Sequence, residues 1–387
     1  MKTSFYFCVA LLFFACQPRT KDNKTVEASV DSLASKLTID PALSAEEQTA
    51  IMPLPDTMLY MDESVFGEHI PLKGENKEIN NFFKVSGTQL IAKDSLLLMK
   101  NRSNEGFFAI YRLPEFELLS QFGKLGRGPG EFSFPAVGPS EDENRLAYIM
   151  ATSNSELYSL DRNLELKKMN IPFPKKFKKF SDDKQIHGVS DREFYYVEST
   201  KNGKGLFHFK LENDSAKNRL LHSLSYMKNR KGWANYIGDF GANVAKKRAV
   251  YAYKYSKRVV FFDLENGTKR TLVFKNNDEP KKKGTNLLGP SNVTHYWGIS
   301  AQKEYVYLCY SGRTPIQVGN ENDKTGGYIF VEQYDWNGNP IRKFRLDRWG
   351  YLCVDNKEEK IILVSYVEEH PFFVYNIPKL GKEKEAL

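Results

Sequence analysis

The feature that most constrains the fold is a short unit that recurs through most of the chain. In each copy, a run of β-branched and aromatic residues leads to a turn rich in Asp, Asn, Glu or Gly, and a second such run follows. Runs of this composition favour β-strands, and turns of this kind favour hairpins. The aromatic residues that mark the copies are Tyr111, Tyr158, Phe209, Phe262, Tyr334 and Tyr375. The sequence therefore predicts an all-β chain.

The spacing of these markers indicates a set of repeated four-stranded sheets. The markers lie about 40 to 50 residues apart, with one longer gap, and each is preceded by further strand-like runs. One such sheet cannot cover both of its faces, so neighbouring sheets stack around an axis. The sequence predicts a six-bladed β-propeller, with seven blades as the alternative. We expect an insertion at residues 311–327 in the long gap, and a segment near residues 66–72 that closes the ring.

The composition excludes several other classes of protein. Of the 387 residues, 41% are hydrophobic and 13% are aromatic, which is too apolar for a disordered chain. No apolar run of about 20 residues follows the N-terminal region, which argues against a polytopic membrane protein. Four cysteines are too few for a disulfide scaffold. We expect Cys309 and Cys353 to be buried free thiols, with a disulfide between them as the alternative.

The N-terminus has the pattern of an export signal. An apolar core at residues 5–15 follows Lys2 and has the length of a signal-peptide core. Ala15 directly before Cys16 resembles a bacterial lipobox, which implies cleavage before Cys16 and acylation of its thiol. An ordinary secretory signal ending near Ala15 is the alternative. The Gln17 that follows implies sorting to the outer membrane but leaves the leaflet and the facing side open.

The sequence therefore divides into four expected segments. They are a lipoprotein signal peptide at residues 1–15, a lipidated cysteine and polar linker at 16–59, a propeller at 60–380 and a polar tail at 381–387. The predicted location is the cell envelope, where the lipid tethers the propeller to the membrane through a flexible linker.

One loop stands out after the first predicted blade. Its residues are Gly126, Arg127, Gly128, Pro129, Gly130, Glu131 and Phe132. Closely spaced glycines permit positive φ and a close approach of the backbone, and the proline fixes one φ between them. We interpret the loop as a candidate ligand-facing loop, with a plain connector between blades as the alternative. Phe132 is expected to pack beneath it, between two blades.

With the lipobox and linker before it, this loop resembles the six-bladed TolB-like and NHL-like propeller lipoproteins of Bacteroidetes. The resemblance covers roughly residues 60–380 in architecture, although the loop at 126–132 is its one specific motif. It implies a six-bladed propeller in the cell envelope.

The net charge and the motifs limit the possible functions, but they identify no ligand. The net charge is +8, and basic runs occur at residues 175–179, 246–248 and 281–283. Such runs are typical of proteins that bind acidic partners. The predicted export of the protein argues against nucleic acid as that partner. The alternative interpretation is that the basic runs are solvated loops without a partner. The six histidines show no metal-ligand spacing, so we predict no catalytic residue, metal or other cofactor. The candidate binding aromatics, for which core packing is the alternative, are Trp233, Tyr236, Trp297 and Trp349.

The sequence thus predicts an envelope-anchored binding or protein-interaction module. Its expected partners are the membrane, through the lipid, and an envelope protein or a glycan. Two alternatives stay open. One is a sensor that binds a glycan or small ligand at the propeller channel, and the other is a metal-dependent propeller hydrolase or lyase.

Overall fold

The structure is a computed structural model and describes most of the chain after residue 52. The described ranges are 53–79, 88–101, 106–126, 128, 131–132, 135–151, 156–172, 185–201, 203–213, 215–227, 235–275, 292–365 and 367–381. Within these ranges, no helix combines the length and the apolar character that crossing a bilayer requires.

The described chain begins with three short strands separated by a single helical turn. A 3₁₀ helix, Glu63–Phe66, follows the first strand. The strands are β1 (Thr57–Met61), β2 (Ile70–Leu72) and β3 (Glu75–Lys77). We call residues 57–77 the N-terminal strap, because its strands are added to three different sheets later in the chain.

The first three blades then follow in chain order. Blade I contains β4 (Gln89–Lys93), β5 (Leu96–Lys100), β6 (Phe108–Arg112) and β7 (Glu117–Phe122). A small parallel pair leads onward, β8 (Lys124–Leu125) and β9 (Glu131–Phe132). Blade II contains β10 (Pro135–Gly138), β11 (Arg145–Ala151), β12 (Glu156–Asp161) and β13 (Leu166–Met169). Blade III contains β14 (Gln185–Ser190), β15 (Glu193–Thr200), β16 (Gly203–Glu212) and β17 (Ser215–Ser223).

The other three blades incorporate the N-terminal strap. Blade IV contains β18 (Gly238–Asn243), β19 (Arg248–Tyr253), β20 (Arg258–Asp263) and β21 (Lys269–Phe274), with β1 outside β21. Blade V contains β22 (Thr294–Ala301), β23 (Tyr305–Arg313), β24 (Ile329–Asp335) and β25 (Pro340–Leu346), with β2 outside β25. Blade VI contains β26 (Gly350–Val354), β27 (Lys360–Ser365) and β28 (Phe372–Asn376), and β3 completes it.

The prediction of an all-β, six-bladed propeller is confirmed. Across the described ranges the structure has six blades of four or five strands, and each blade's own strands pair antiparallel in chain order. The six aromatic markers all lie on the third strand of their blade, and all are buried, with exposed fractions of 0–7%. The repeated unit seen in the sequence is therefore the turn region around each third strand.

Ring closure differs in detail from the expectation. The strand that completes blade VI is β3, not the segment near residues 66–72. The strand within that segment, β2, instead pairs in parallel with β25 of blade V. An N-terminal strand does complete the last blade, which would otherwise leave an open sheet edge. The residues of β2 are uncharged, and their sequence contains no pattern that predicts pairing with blade V.

The expected insertion in blade V is a helix. α1 (Pro315–Thr325) connects β23 to β24. Thr314 and Gln317 form a capping box at its start, and Gly326 ends it in the left-handed conformation. The helix has no clear signal in the sequence, because only Val318 and Asn322 on it are buried and its apolar periodicity is weak.

A buried cluster of charges attaches the N-terminal strap to blades IV and V. The carboxylate of Glu332 lies 3.1 Å from the Nζ atoms of both Lys257 and Lys343. Glu63, on the 3₁₀ helix of the strap, pairs with the same two lysines. Burial lowers the pKa of Lys257 to about 8 despite the attraction of Glu332. Burial alone would raise the pKa of Glu332, but the two lysines outweigh it and hold that pKa below its ordinary value.

Replacing Glu332 by Gln removes the carboxylate that both lysines share. We expect Glu332→Gln to lose roughly 3–5 kcal/mol of unfolding free energy, because buried charge is left uncompensated. Urea denaturation measures the loss. The control is Glu304→Gln, which removes the carboxylate that pairs with Lys246. That carboxylate is more exposed than those of the buried cluster, so the loss of unfolding free energy should be less than about 1 kcal/mol. Losses of equal size in the two variants would contradict the stabilising role given to the cluster.

Candidate functional site

The first strands of the six blades lie around a central channel. These strands are β4, β10, β14, β18, β22 and β26. We call the end at which they begin the upper face, and the connection that contains α1 lies at this end. The lower face carries the turns between the first and second strands. Because all six blades meet at the channel, residues far apart in sequence become neighbours there.

Hydrogen bonds between adjacent inner strands already occupy some of the polar side chains of the channel. The side-chain oxygen of Gln89 accepts a hydrogen bond at 3.4 Å from the backbone N–H of Val137, in the next blade. Gln185 has the equivalent position in blade III. It accepts from the N–H of Phe240 and donates to the carbonyl of Gly238 at 2.9 Å. These two glutamines hold neighbouring blades together.

Trp297 lies in a β-bulge of the inner strand of blade V. The pairing of β22 with β23 shifts between Tyr296 and Gly298, so Trp297 has no partner residue on β23. A bulge of this kind changes the direction of its side chain. The indole of Trp297 meets that of Trp349 edge to face, with ring centroids 5.3 Å apart. The structure therefore brings two of the predicted aromatics together, from blades V and VI.

Two further residues extend this contact. The Nζ of Lys254 lies 4.4 Å from the centroid of the Trp297 ring, and the ring of Tyr351 lies 5.8 Å from that of Trp349. We call Lys254, Trp297, Trp349 and Tyr351 the mouth cluster. Trp349 is only 4% exposed and belongs to an apolar core that includes Val318 of α1. Trp297, Tyr351 and Lys254 are partly exposed, so they form the part of the cluster that a ligand can reach.

Lys254 and Tyr351 are not among the site residues predicted from the sequence. Tyr351 lies two residues after Trp349 and shares its side of the strand, so the alternation of side chains could have identified it. Lys254 lies in the turn between the second and third strands of blade IV. No local pattern joins it to Trp297, because the contact exists only between stacked blades.

The other two predicted aromatics do not belong to this cluster as defined. Tyr236 lies just before β18, where a Cβ placed on Gly203 of blade III would come within 3.2 Å of its ring. Its backbone carbonyl accepts a hydrogen bond at 2.5 Å from the hydroxyl of Tyr251. Trp233 lies outside the described residues.

The glycine-rich loop binds its own acidic residue. The carboxylate of Glu131 accepts a hydrogen bond at 2.8 Å from the backbone N–H of Gly128. A Cβ on Gly126 would lie 1.9 Å from the same carboxylate, so a larger residue there would displace the Glu131 side chain. Arg127, Pro129 and Gly130 lie outside the described residues. The contacts of Glu131 fit the connector interpretation, because the carboxylate is engaged within the loop.

Phe132 lies between blades I and II, as the sequence predicted. It is fully buried, with its ring 5.3 Å from that of Phe108 in blade I and 5.1 Å from that of Tyr158 in blade II. The end of the loop is therefore fixed by apolar packing.

A polar contact joins three blades at the lower face. Glu141, in the first turn of blade II, accepts from the backbone N–H of Val244 in blade IV at 3.1 Å. The same carboxylate oxygen lies 2.9 Å from Nε2 of His187, on the inner strand of blade III. Burial alone would raise the pKa of Glu141, but these hydrogen bonds and the charge of His187 lower it. The contact is consistent with a structural role.

The basic run at residues 246–248 is not an open positive patch. Its side chains pair with carboxylates, Lys246 with Glu304 at 2.7 Å and Lys247 with Glu265 at 2.9 Å. Arg248 is buried and pairs with Asp263. The runs at 175–179 and 281–283 lie outside the described residues.

The cysteines follow the expected state where they are described. Cys309 and Cys353 are buried free thiols, and burial raises the pKa of each well above its ordinary value. Cys16, the predicted lipidation site, lies outside the described residues. In the described part of the chain, no three His, Cys, Asp or Glu side chains are grouped closely enough to hold a metal ion.

The chain matches a protein-family model over most of its length. The model describes a TolB-like 6-blade propeller and matches residues 65–357. The crystal structure of a DUF4221-family member from Bacteroides vulgatus is similar, with a TM-score of 0.51 and 12% identity, over 80% of this chain and 97% of that one. A protein of Bacteroides fragilis inferred to be exported gives a TM-score of 0.49 and 11% identity, over 84% and 99%. At such identities the similarity shows the fold alone. No protein of curated function matches the sequence significantly.

Replacing Phe132 by Ala tests whether the glycine-rich loop is a structural connector. We expect Phe132→Ala to lose about 3–5 kcal/mol of unfolding free energy, since it leaves a cavity between two blades. The control is Leu125→Ala in β8, directly before the loop, where the side chain is 64% exposed and the change should stay within about 0.5 kcal/mol. Urea denaturation of both variants gives the comparison. A Phe132→Ala protein as stable as the control would show that the ring does not hold the blades together.

Proposed function

The chain belongs to the family of TolB-like six-bladed propellers, and from this premise we propose that it is a binding module of the cell envelope. In this proposal a lipid on Cys16 anchors the protein in the outer membrane. The upper face of the propeller binds a glycan or another small polar ligand at the mouth of the channel.

The mouth cluster is the observation that carries the proposal. Trp297 is partly exposed, and it lies without a partner residue at the second of two register shifts between β22 and β23. Its indole N–H is buried and has no hydrogen-bond partner among the described residues. Buried donors are normally satisfied, so a ligand that brings an acceptor oxygen to this N–H would supply a hydrogen bond that the described residues do not.

The chemistry of the cluster favours a polar ligand with an apolar face. Binding sites for small ligands typically combine aromatic walls with a few polar groups that fix the orientation. Here Trp297 and Tyr351 supply ring surface, and the ammonium of Lys254 lies beside the Trp297 ring. Sugar units have both hydroxyl acceptors and apolar C–H faces. A glycan of the envelope therefore fits the cluster better than a purely apolar ligand.

A protein partner is the second candidate. Leu125 and Ile316 are 64% and 50% exposed, and both lie in connections at the upper face. Exposed apolar side chains on the rim of a binding surface favour protein contacts when they are part of a larger patch. An envelope protein that binds this face would cover the mouth cluster as well.

Replacing Trp297 tests the site directly. The probes are oligosaccharides released from the lipopolysaccharide and capsule of the native cells, measured by isothermal titration against the full chain carrying Cys16→Ala. We expect Trp297→Ala to weaken the binding of such a probe by at least about tenfold, because it removes both the ring face and the N–H donor. Leu125→Ala serves as the control and should leave the affinity within about twofold.

Three results would contradict the proposal. They are no binding by any oligosaccharide, an unchanged affinity of Trp297→Ala, and an equal loss in the control. Crosslinking in native envelopes followed by mass spectrometry addresses the protein partner. A stoichiometric partner that Trp297→Ala retains would direct attention to another surface.

The anchor has its own test. We expect cells that express the full chain to attach a labelled fatty acid to the protein. We also expect the labelled protein to remain in the outer-membrane fraction. Cys16→Ala should abolish both, because the thiol is the acylation site. Cys309→Ala is the control, since that thiol is buried and should not affect labelling. Equal labelling of Cys16→Ala and the unchanged chain would exclude lipidation at Cys16.

A further inference from the structure

The outermost strand of blade IV has an open edge with exposed apolar side chains. β1 pairs in parallel with β21 on one side, and no strand in the described residues pairs with its other side. Met58 and Tyr60 point away from the protein and are 52% and 69% exposed. Among the described residues, the backbone groups along the open side therefore have no neighbouring strand to pair with.

This edge differs from the outermost strands of the other blades. Natural proteins protect open edges with charged residues or proline, which discourage pairing with another chain. β17 of blade III carries Lys217 and Arg219, and β13 of blade II carries two lysines. β3 has charged residues at both ends, β7 begins with a glutamate, and β2 contains an exposed proline. β1 has neither a charged residue nor a proline.

An acidic residue lies at each end of β1. Asp56 precedes the strand and Asp62 follows it, and both are exposed. Hydrogen bonds from Ser64 lower the pKa of Asp62, so this carboxylate is ionised at neutral pH. Lys275 follows β21, one strand further from the open edge. A strand added beside β1 would therefore meet a neutral centre with a negative charge at each end.

We propose that the open edge of β1 binds an extended segment of a partner protein, an apolar stretch of about five residues with a basic residue at each end, as a sixth strand of blade IV. Main-chain hydrogen bonds would supply the pairing, and Met58 and Tyr60 would pack against alternate side chains of the segment. Asp56 and Asp62 would pair with its basic ends.

The charges favour a partner over a second copy of this chain. An antiparallel pair of two β1 strands that places Met58 opposite Tyr60 also places Asp56 of one copy opposite Asp62 of the other. Like charges directly opposite are destabilising. The propeller itself already accepts added strands at this rim, because β1 and β2 both pair in parallel with the outer strand of a blade.

The probes for the test are two synthetic peptides of about nine residues. Both have the same alternating Val, Thr and Tyr centre, and they carry either lysines or glutamates at both ends. Fluorescence anisotropy against the full chain with Cys16→Ala measures binding. We expect the lysine-ended peptide to bind at least about tenfold more tightly than the glutamate-ended one. Tyr60→Lys should weaken it by at least about tenfold, since an edge lysine discourages strand pairing.

Two control variants separate this site from others. Leu220→Lys places the same charge at an exposed position on β17, and it should leave the affinity unchanged. Trp297→Ala should also leave it unchanged, so failure of the proposed ligand site and failure of this edge are distinguishable. Thermal unfolding of Tyr60→Lys checks that the strap remains in place.

Several outcomes would overturn the proposal. These are no binding of the lysine-ended peptide, equal binding of both peptides, or an affinity that Tyr60→Lys does not change. Sedimentation of the protein alone gives a fourth outcome. Self-association that Tyr60→Lys abolishes would identify a second copy as the occupant and would exclude the partner segment.

Discussion

Each blade depends on its two neighbours, because a four-stranded sheet can bury its faces only against other sheets. The aromatic contacts between blades show how this is achieved. The ring centroids of Tyr111 in blade I and Phe372 in blade VI are 5.1 Å apart. Those of Tyr148 in blade II and Phe194 in blade III are also 5.1 Å apart. Phe261 of blade IV meets Tyr334 of blade V at 5.9 Å. Since every interface is shared, an unclosed ring would leave two apolar faces in water.

The N-terminal strap follows from that requirement and goes beyond it. β3 is needed, because blade VI has three strands of its own among the described residues. β1 and β2 are additional, since blades IV and V are already complete with four strands. Their attachment relies on Glu63 in the buried charge cluster and on Phe66, whose ring lies 5.4 Å from that of Tyr334. The strap therefore stabilises the junction of blades IV and V and also changes the outer edge that each blade presents.

The sequence predicted the parts of the structure that repeat. Strand composition and turn chemistry recur in every blade, so the six markers identified the third strands, and Phe132 was placed between two blades. The sequence could not predict the structural features that occur only once in the chain. β2 and α1 have weak patterns, and Lys254 meets Trp297 only because blades IV and V are adjacent. Trp349 was a candidate for binding, but most of its surface is used in the core beside α1.

The difference between the repeated features and those that occur once has a physical reason, and that reason bears on function. In a regular inner strand the backbone pairs with the second strand, and side chains such as Gln185 bond to the next blade. Such positions have few groups left for a ligand. A bulge breaks the pairing at one residue, which is the case at Trp297. An edge strand has one side unpaired, which is the case at β1. In a propeller stabilised by repetition, groups without a pairing partner are therefore concentrated where the repetition is interrupted, and the two surfaces proposed for binding are interruptions of this kind.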